Sequence, residues 1–452
     1  AAYNDHVYMA QALICAGAHL DVKDSRGRTP LVTACERRNK NVLEILLENG
    51  ADTEAHPNFP NRTPLEQAIE DNMIDIARLL LEKTNGFSHP RALKMLQQAM
   101  LAGDYETARR LHKAGVDVGA RFKYGKTALH YACYQGHEFM VHYLLGARVN
   151  VNAADDGGDT PLFVATREST HGNTPIAIIQ ELLQAGADVN IHCGTDSFTP
   201  LIEATRQWSF AICYILLENG ARVDDSDQFG RTALHHAAEL GSVPIATLLL
   251  RMDASVDAMD QFGRTALMVA SSKGYTNLAR ELLNAGANPL LECTEGRTAL
   301  FIASWEGQVD TLRLLLGTNV PINATDNDGC TPLHGACSQG DLDVCRLLVE
   351  RKASLHAMDV FGRTALHCAC SGGNCDVVNM LLRAGARVRT CQADGMTPFH
   401  TACEEGFVDI VESLLGVADP RAVDKEHLTP MYYASRAGHW KVVKHLLRFA
   451  SN

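Results

Sequence analysis

The chain has 452 residues and repeats itself at a fixed interval, which constrains its fold more than any other feature. The segment DVFGRTALHCA at residues 359–369 returns as DQFGRTALMVA at 260–270 and as DQFGRTALHHA at 227–237. Its threonine recurs every 33 residues from Thr232 to Thr397. A period of this length indicates a stacked array of similar units. Each unit is too small to bury a core alone, so it must pack on its neighbours.

Within one unit, the pattern predicts two helices joined by tight turns. A glycine two residues before the threonine suits a turn with positive φ, and the threonine hydroxyl suits a helix N-cap. A first helix of about ten residues is then expected, ended by a glycine such as Gly241. A leucine pair marks the buried face of a second helix. The threonine recurs in twelve units, at Thr29, Thr63, Thr127, Thr160, Thr199, Thr232, Thr265, Thr298, Thr331, Thr364, Thr397 and Thr429.

The repeated segment TALHHAAELGSVPIATLLLRMDASVDAMDQFG, residues 232–263, resembles an ankyrin repeat. The resemblance covers essentially the whole chain and implies an all-α ankyrin-repeat solenoid of stacked helix-turn-helix units with projecting β-hairpin-like loops. It also implies protein binding through the loop tips and the concave face of the first helices. The histidine three residues after the threonine is expected to tie one unit to the next through backbone hydrogen bonds. It occurs at His130, His235, His334, His367 and His400.

Irregularities in the array predict its organisation. We count thirteen units and one half unit, including a degenerate repeat at residues 91–118 where Lys94 replaces the threonine. The segment TNGFSHP at 84–90 lacks the usual closing glycine, so a block at 1–87 is expected to be separate from the main array at 88–452. An insertion is expected at residues 167–174. Because the chain begins within a unit and ends directly after a helix, we expect a piece of a longer protein.

Composition narrows the possible partners. The formal net charge is −12 without a long basic run, which argues against nucleic-acid binding. No run of about 18 apolar residues is present, so no membrane insertion is expected. The 14 cysteines lack zinc-type or disulfide spacings, and five of them follow the repeat threonine by six residues. We therefore predict buried cysteine thiols in a reducing compartment, the cytoplasm.

Motifs that resemble catalytic or ligand sites have the wrong spacing. GARFKYGKT at residues 119–127 resembles a phosphate-binding loop but has five residues, not four, between its first glycine and Gly-Lys-Thr. His137 and His142 are five residues apart, whereas a zinc-protease helix needs four. We predict no catalytic residue, no metal and no cofactor.

Large aromatic side chains at unusual positions are the candidate partner-binding residues. Phe229, Phe262, Phe361 and Tyr124 occupy one loop-tip position, and Trp305 and Tyr134 occupy one position expected to face the groove. Exposed aromatic residues are frequent binding hot spots. Packing against the neighbouring unit explains all six positions equally well. Acidic residues near the tips either steer a basic partner or form the turns, and these are Asp227, Asp260, Asp326, Asp328 and Asp394.

The leading hypothesis is a non-catalytic scaffold or adaptor that binds one or more proteins, with an extended peptide segment as one candidate partner. Two alternatives stay open: the substrate-recognition array of a larger enzyme such as a ubiquitin ligase, and the cytoplasmic array of an ankyrin-bearing ion channel. Asn190, in LLQAGADVN, resembles the asparagine that some ankyrin repeats present for hydroxylation. Turn formation is the other explanation for that asparagine.

Overall fold

A computed structural model describes residues 1–55, 62–84, 89–168 and 176–450. Across these ranges the backbone forms 27 α-helices and no β-strand, only three isolated bridges. The helices are divided between two compact units, residues 1–221 and residues 222–452. The expected all-α repeat architecture is therefore confirmed.

In the first unit, one helix precedes six helix pairs. First helices pack on first helices, and second helices pack on second helices. The helices are α1 (Val7–Cys15), α2 (Pro30–Glu36), α3 (Lys40–Glu48), α4 (Pro64–Glu70), α5 (Ile74–Lys83), α6 (Pro90–Ala102), α7 (Tyr105–Ala114), α8 (Ala128–Gln135), α9 (Glu138–Gly146), α10 (Pro161–Glu168), α11 (Ile176–Gln184), α12 (Pro200–Arg206) and α13 (Phe210–Glu218).

The second unit contains seven helix pairs with the same stacking. Leucines, alanines and cysteines from both helices of each pair form its core. The helices are α14 (Ala233–Leu240), α15 (Val243–Arg251), α16 (Ala266–Lys273), α17 (Thr276–Asn284), α18 (Ala299–Trp305), α19 (Val309–Leu315), α20 (Pro332–Gln339), α21 (Leu342–Glu350), α22 (Ala365–Gly372), α23 (Cys375–Arg383), α24 (Pro398–Glu405), α25 (Val408–Leu415), α26 (Pro430–Arg436) and α27 (Trp440–Ala450).

The repeat threonine begins the first helix of a pair, as predicted. The Thr29 hydroxyl accepts a hydrogen bond from the Val32 N–H at 3.3 Å, which satisfies an amide at the helix start. The expected length of about ten residues was wrong, because first helices other than α6 have seven or eight residues. They end early where the chain turns into the left-handed region, as at Gly241 with φ +71°.

The glycines that end first helices have a second role. A Cβ added at Gly241 would lie 2.9 Å from the Tyr275 ring, and one added at Gly373 would lie 2.7 Å from Phe407. In each case the ring belongs to the next repeat, so the missing side chain makes room for it. The glycine therefore both ends its helix and allows close stacking of the following pair.

The repeated histidines connect neighbouring units, as expected. The Nδ1 atom of His367 accepts the Thr364 backbone N–H at 3.1 Å, and its Nε2 atom lies 3.3 Å from the Met396 carbonyl in the next repeat. Burial lowers the pKa of His367 to about 4, so the ring is neutral at pH 7. The other four histidines make the same pair of contacts, and burial also lowers the pKa of each.

Several predictions about organisation have different outcomes. The degenerate repeat keeps its helix pair, since α6 and α7 cover residues 90–114. The predicted boundary between residues 87 and 88, and most of the predicted insertion at 167–174, lie outside the described residues. The division into blocks at 1–87 and 88–452 therefore stays a prediction. The five cysteines at the shared core position, Cys35, Cys133, Cys337, Cys370 and Cys403, are all fully buried as predicted.

Candidate functional site

Three loop tips of the second unit share one hydrogen-bonding arrangement. The Asp359 carboxylate accepts the backbone N–H groups of Phe361 at 2.9 Å and Arg363 at 2.8 Å. Its second oxygen accepts the Arg363 Nε–H at 2.7 Å. Equivalent contacts surround Asp227 and Asp260, so we call these three the aspartate tips. One carboxylate thus closes the turn and neutralises the arginine beside it.

The aromatic ring of each aspartate tip is held beside this arginine. Phe262 is 49% exposed and Phe361 is 55% exposed, whereas Phe229 is half-buried. In all three tips the arginine Cζ lies 5.1 Å from the ring centre. The Phe361 carbonyl also accepts the N–H of Ala393 at 2.7 Å, which ties the tip to the next one. The rings are therefore presented to solvent on a backbone fixed on both sides.

Of the five acidic residues predicted near the tips, three are buried and two, Asp328 and Asp394, are exposed. Asp227, Asp260 and Asp326 are buried, because each carboxylate caps the backbone of its own turn. Burial alone would raise the pKa of Asp227, but hydrogen bonds from Arg231, Phe229 and His236 hold that pKa below its usual value. Turn formation explains the three buried carboxylates. Because Asp328 and Asp394 are exposed, steering of a basic partner stays a prediction.

The tip that carries Tyr124, in the first unit, is built differently. Phe122 stands where the other tips have aspartate, so no carboxylate caps the turn. The chain instead makes a 3-10 turn at Lys123–Gly125, and Tyr124 takes φ +62°. The Tyr124 ring is 63% exposed, with the Lys123 ammonium 4.7 Å from its centre. The same aromatic position is therefore reached by a different backbone.

The two predicted groove residues differ from each other. Tyr134 on α8 is 43% exposed, and the Lys126 ammonium lies 5.9 Å from its ring centre. Trp305 on α18 is half-buried and stacks on Phe301, with ring centres 6.3 Å apart. A Cβ at Gly335 of α20 would lie 3.0 Å from the Trp305 ring. Trp305 therefore packs over the neighbouring first helix, while Tyr134 presents more of its ring.

Asn190 lies in the loop that follows α11 and is half-exposed. Its side-chain Nδ2 donates to the Gly220 carbonyl at 3.1 Å, and its backbone N–H donates to the Asp188 carboxylate at 2.9 Å. These contacts fit the structural explanation for this asparagine. Hydroxylation of Asn190 stays a prediction.

The aspartate–arginine pair is the feature that sequence reasoning missed. The spacing D-x-x-x-R-T was visible at Asp227, Asp260 and Asp359, but the acidic and basic residues were interpreted separately.

Across the described residues, no group of three or more histidine, cysteine, aspartate or glutamate side chains has a metal-binding arrangement. No helix in those residues is both long and apolar enough to cross a membrane.

Comparison with known proteins identifies the family. A family model for ankyrin repeats, containing three copies, matches residues 1–89, 96–192, 169–260, 252–326, 318–390 and 384–452. The matches extend over nearly the whole chain, which therefore belongs to the ankyrin repeat family. Repeats of this family mediate protein–protein interaction.

The matched regions cover only part of each relative. Human transient receptor potential cation channel subfamily A member 1 is 30% identical over 241 residues, which is 52% of this chain and 18% of the channel. A putative ankyrin repeat protein of Rickettsia felis is 28% identical over 188 residues, 40% of this chain and 47% of the relative. Protein phosphatase 1 regulatory subunit 27 of Mus musculus is 38% identical over 73 residues, 16% and 47% of the two chains. The chain thus spans less than half of each relative.

Proposed function

We propose that this chain is a non-catalytic scaffold or adaptor that binds partner proteins through its loop tips and the groove beside them. The observation that carries the proposal is the set of aromatic rings on the aspartate tips. Phe262 and Phe361 expose about half of their surface although their backbones are fixed by a buried carboxylate. A rigid exposed ring loses little conformational entropy on binding, which favours its use as an anchor.

The surroundings of Phe262 support the same proposal. A groove of about 420 Å³ lies beside this ring, between two loop tips and their first helices. Its lining combines apolar side chains such as Met268 and Ile302 with charged ones such as Arg264 and Glu306. Such a lining accommodates an extended peptide with one apolar anchor and flanking polar groups. Partner segments that contact several tips would gain affinity from simultaneous weak contacts.

Affinity capture from cell lysate tests this proposal. The unmodified chain is compared with a triple variant, Phe229→Ala, Phe262→Ala and Phe361→Ala, whose folding is verified by circular dichroism. Phe139→Ala is the matched control, because Phe139 is 83% exposed and lies on a second helix. We expect a partner that the control retains and the triple variant loses. Equal capture by all three chains would show that the tip rings serve stacking alone.

A second candidate is the interaction array of an ion channel. It is favoured by the identity with the human cation channel, which extends over 52% of this chain. The coding sequence on both sides of this segment in the genome tests the candidate. Apolar spans of about 20 residues would support it. A ubiquitin-ligase recruitment motif in the same reading frame would support the enzyme-receptor alternative instead.

A further inference from the structure

The tip around Tyr124 carries positive charge that the aspartate tips do not carry. Lys123 and Lys126 have no carboxylate within ion-pair distance among the described residues. Arg121 makes one long contact, 3.4 Å from Asp156, with both side chains more than half exposed. We call Arg121, Lys123, Tyr124, Lys126 and Tyr134 the basic tip. Because Phe122 replaces the capping aspartate, no carboxylate at that position offsets the positive charge of the basic tip.

The aromatic rings of the basic tip position its lysines without neutralising them. Lys123 lies 4.7 Å from the ring centre of Tyr124, and Lys126 lies 5.9 Å from that of Tyr134. A cation over a ring gains modest stabilisation but remains a full positive charge. Both rings also expose apolar surface, at 63% and 43%. An occupant must therefore supply negative charge together with apolar contacts.

We propose that the basic tip is a docking site for an acidic segment of a partner protein. Carboxylate side chains would pair with Lys123 and Lys126, and neighbouring apolar side chains would lie on the Tyr124 and Tyr134 rings. This proposal deepens the proposed function, because it assigns a partner chemistry to one tip of a protein-binding array.

Charge around the site favours a protein segment over nucleic acid. The chain has a net charge of −12, and Asp156 of the next tip lies directly beside Arg121. A nucleic-acid backbone needs a basic surface that extends over several phosphates. Here the acidic Asp156 of the neighbouring repeat would repel it. A short acidic peptide can place its carboxylates on the lysines and avoid Asp156.

Fluorescence anisotropy tests the proposal. The probe is a labelled peptide of about a dozen residues, rich in glutamate with interspersed leucine, measured at low and at physiological salt. We expect saturable binding at low salt that Lys123→Glu with Lys126→Glu weakens at least ten-fold. The control, Lys441→Glu with Lys444→Glu, makes the same charge change on α27, where Lys441 also lies 5.9 Å from an aromatic ring centre, that of Trp440. This control is expected to weaken binding less than two-fold.

Three outcomes would overturn the docking site: no binding at low salt, equal weakening by both double variants, or equally tight binding of a single-stranded oligodeoxynucleotide. If the charge-reversed chain loses its circular dichroism spectrum, Lys123→Gln with Lys126→Gln replaces it, with the same expected direction. Failure here is distinguishable from failure of the proposed function, because capture through Phe229, Phe262 and Phe361 is measured separately. If the peptide binds but no partner is captured from lysate, the docking site at the basic tip is supported and the proposed function through the aspartate tips is not.

Discussion

The aspartate tips and the basic tip present an aromatic ring at the same position of the repeat, but they hold it with different chemistry. At Phe361 a buried carboxylate closes the turn and neutralises Arg363. At Tyr124 there is no such carboxylate, the backbone enters the left-handed region, and within the described part of the chain neither Lys123 nor Lys126 lies within ion-pair distance of a carboxylate. In the aspartate tips the aspartate pairs with the arginine of its own turn, but its absence elsewhere does not by itself make φ positive. The tips with Cys293 or Gln392 at this position also lack aspartate, and neither Glu295 nor Asp394, the residues equivalent to Tyr124, has positive φ.

The largest expected effect comes from removing the capping aspartate. Asp359→Ala leaves two backbone N–H groups without their acceptor and Arg363 without its partner. We expect the free energy of unfolding to fall by about 3 kcal/mol, because the Asp359 side chain is fully buried. Urea unfolding followed by circular dichroism measures the change, with two-state behaviour tested first since repeat arrays can unfold in steps.

The matched control for this substitution is Asp359→Asn. Its side-chain oxygen can still accept both N–H groups, so only the charge pairing with Arg363 is lost. We expect about half the effect of the alanine variant. If alanine and asparagine destabilise equally, the ion pair and not the turn is the main contribution. If neither changes stability by more than about 0.5 kcal/mol, the buried carboxylate does not hold the tip.

The second largest expected effect is the pH dependence of stability, which comes from the buried histidines such as His130 after the basic tip and His367 after an aspartate tip. Folding depresses the pKa of His367 to about 4 from 6.5, so the folded chain binds fewer protons than the unfolded chain below pH 6.5. This stabilisation is complete above pH 6.5 and is lost as the pH falls toward 4. For His367 alone the loss is about 2 kcal/mol between pH 7 and pH 5. Denaturant unfolding across this range should show it.

His367→Met isolates the contribution of that one histidine. The closely similar repeat at residues 260–270 has Met268 in the same position, where the Thr265 hydroxyl still caps the helix. We therefore expect a folded variant whose stability depends less steeply on pH. Because His130 follows the basic tip and makes the same contacts, His130→Met should act in the same direction. An unchanged pH dependence in both variants would contradict the role of burial.

Sequence alone predicted the repeat architecture because the period fixes which residues are equivalent. The threonine caps, the buried cysteines and the histidine contacts all followed from a position within one unit. The structure of the loop tips was harder to predict, because aspartate and arginine are residue types that are common at protein surfaces. Only the spacing of Asp227 and Arg231 indicates that they form a buried ion pair. Helix length was misjudged because a left-handed residue ends a helix regardless of the apolar pattern beyond it.

The sequence shows that the basic tip lacks the capping aspartate, but it does not show which backbone conformation results. FKYGK at residues 122–126 aligns with DQFGR at 227–231, which places Tyr124 with Phe229. The alignment says nothing about φ, because tips that lack the capping aspartate differ at this position: φ is positive at Tyr124 but not at Glu295 or Asp394. The absence of Asp at position 122 therefore predicts that the turn cap seen at Asp227 is missing, but it does not predict the sign of φ.

The smallest expected effect reveals this difference in backbone conformation directly. Tyr124 has φ +62°, which costs a residue with a side chain about 1–2 kcal/mol, whereas Phe361 is not among the residues with positive φ. Tyr124→Gly should therefore raise the free energy of unfolding by about 0.5 kcal/mol, after subtraction of the higher entropy of unfolded glycine. Phe361→Gly should lower it by about 1 kcal/mol.

Tyr124→Ala is the control, because alanine removes the ring and keeps the unfavourable φ. If Tyr124→Gly raises the free energy of unfolding and Tyr124→Ala does not, the gain comes from relief of the backbone conformation and not from loss of the exposed ring. Equal behaviour of Tyr124→Gly and Phe361→Gly would show that the two tips share one conformation. The difference in sign between these two glycine substitutions is thus the sharpest test that the basic tip and the aspartate tips differ in backbone conformation.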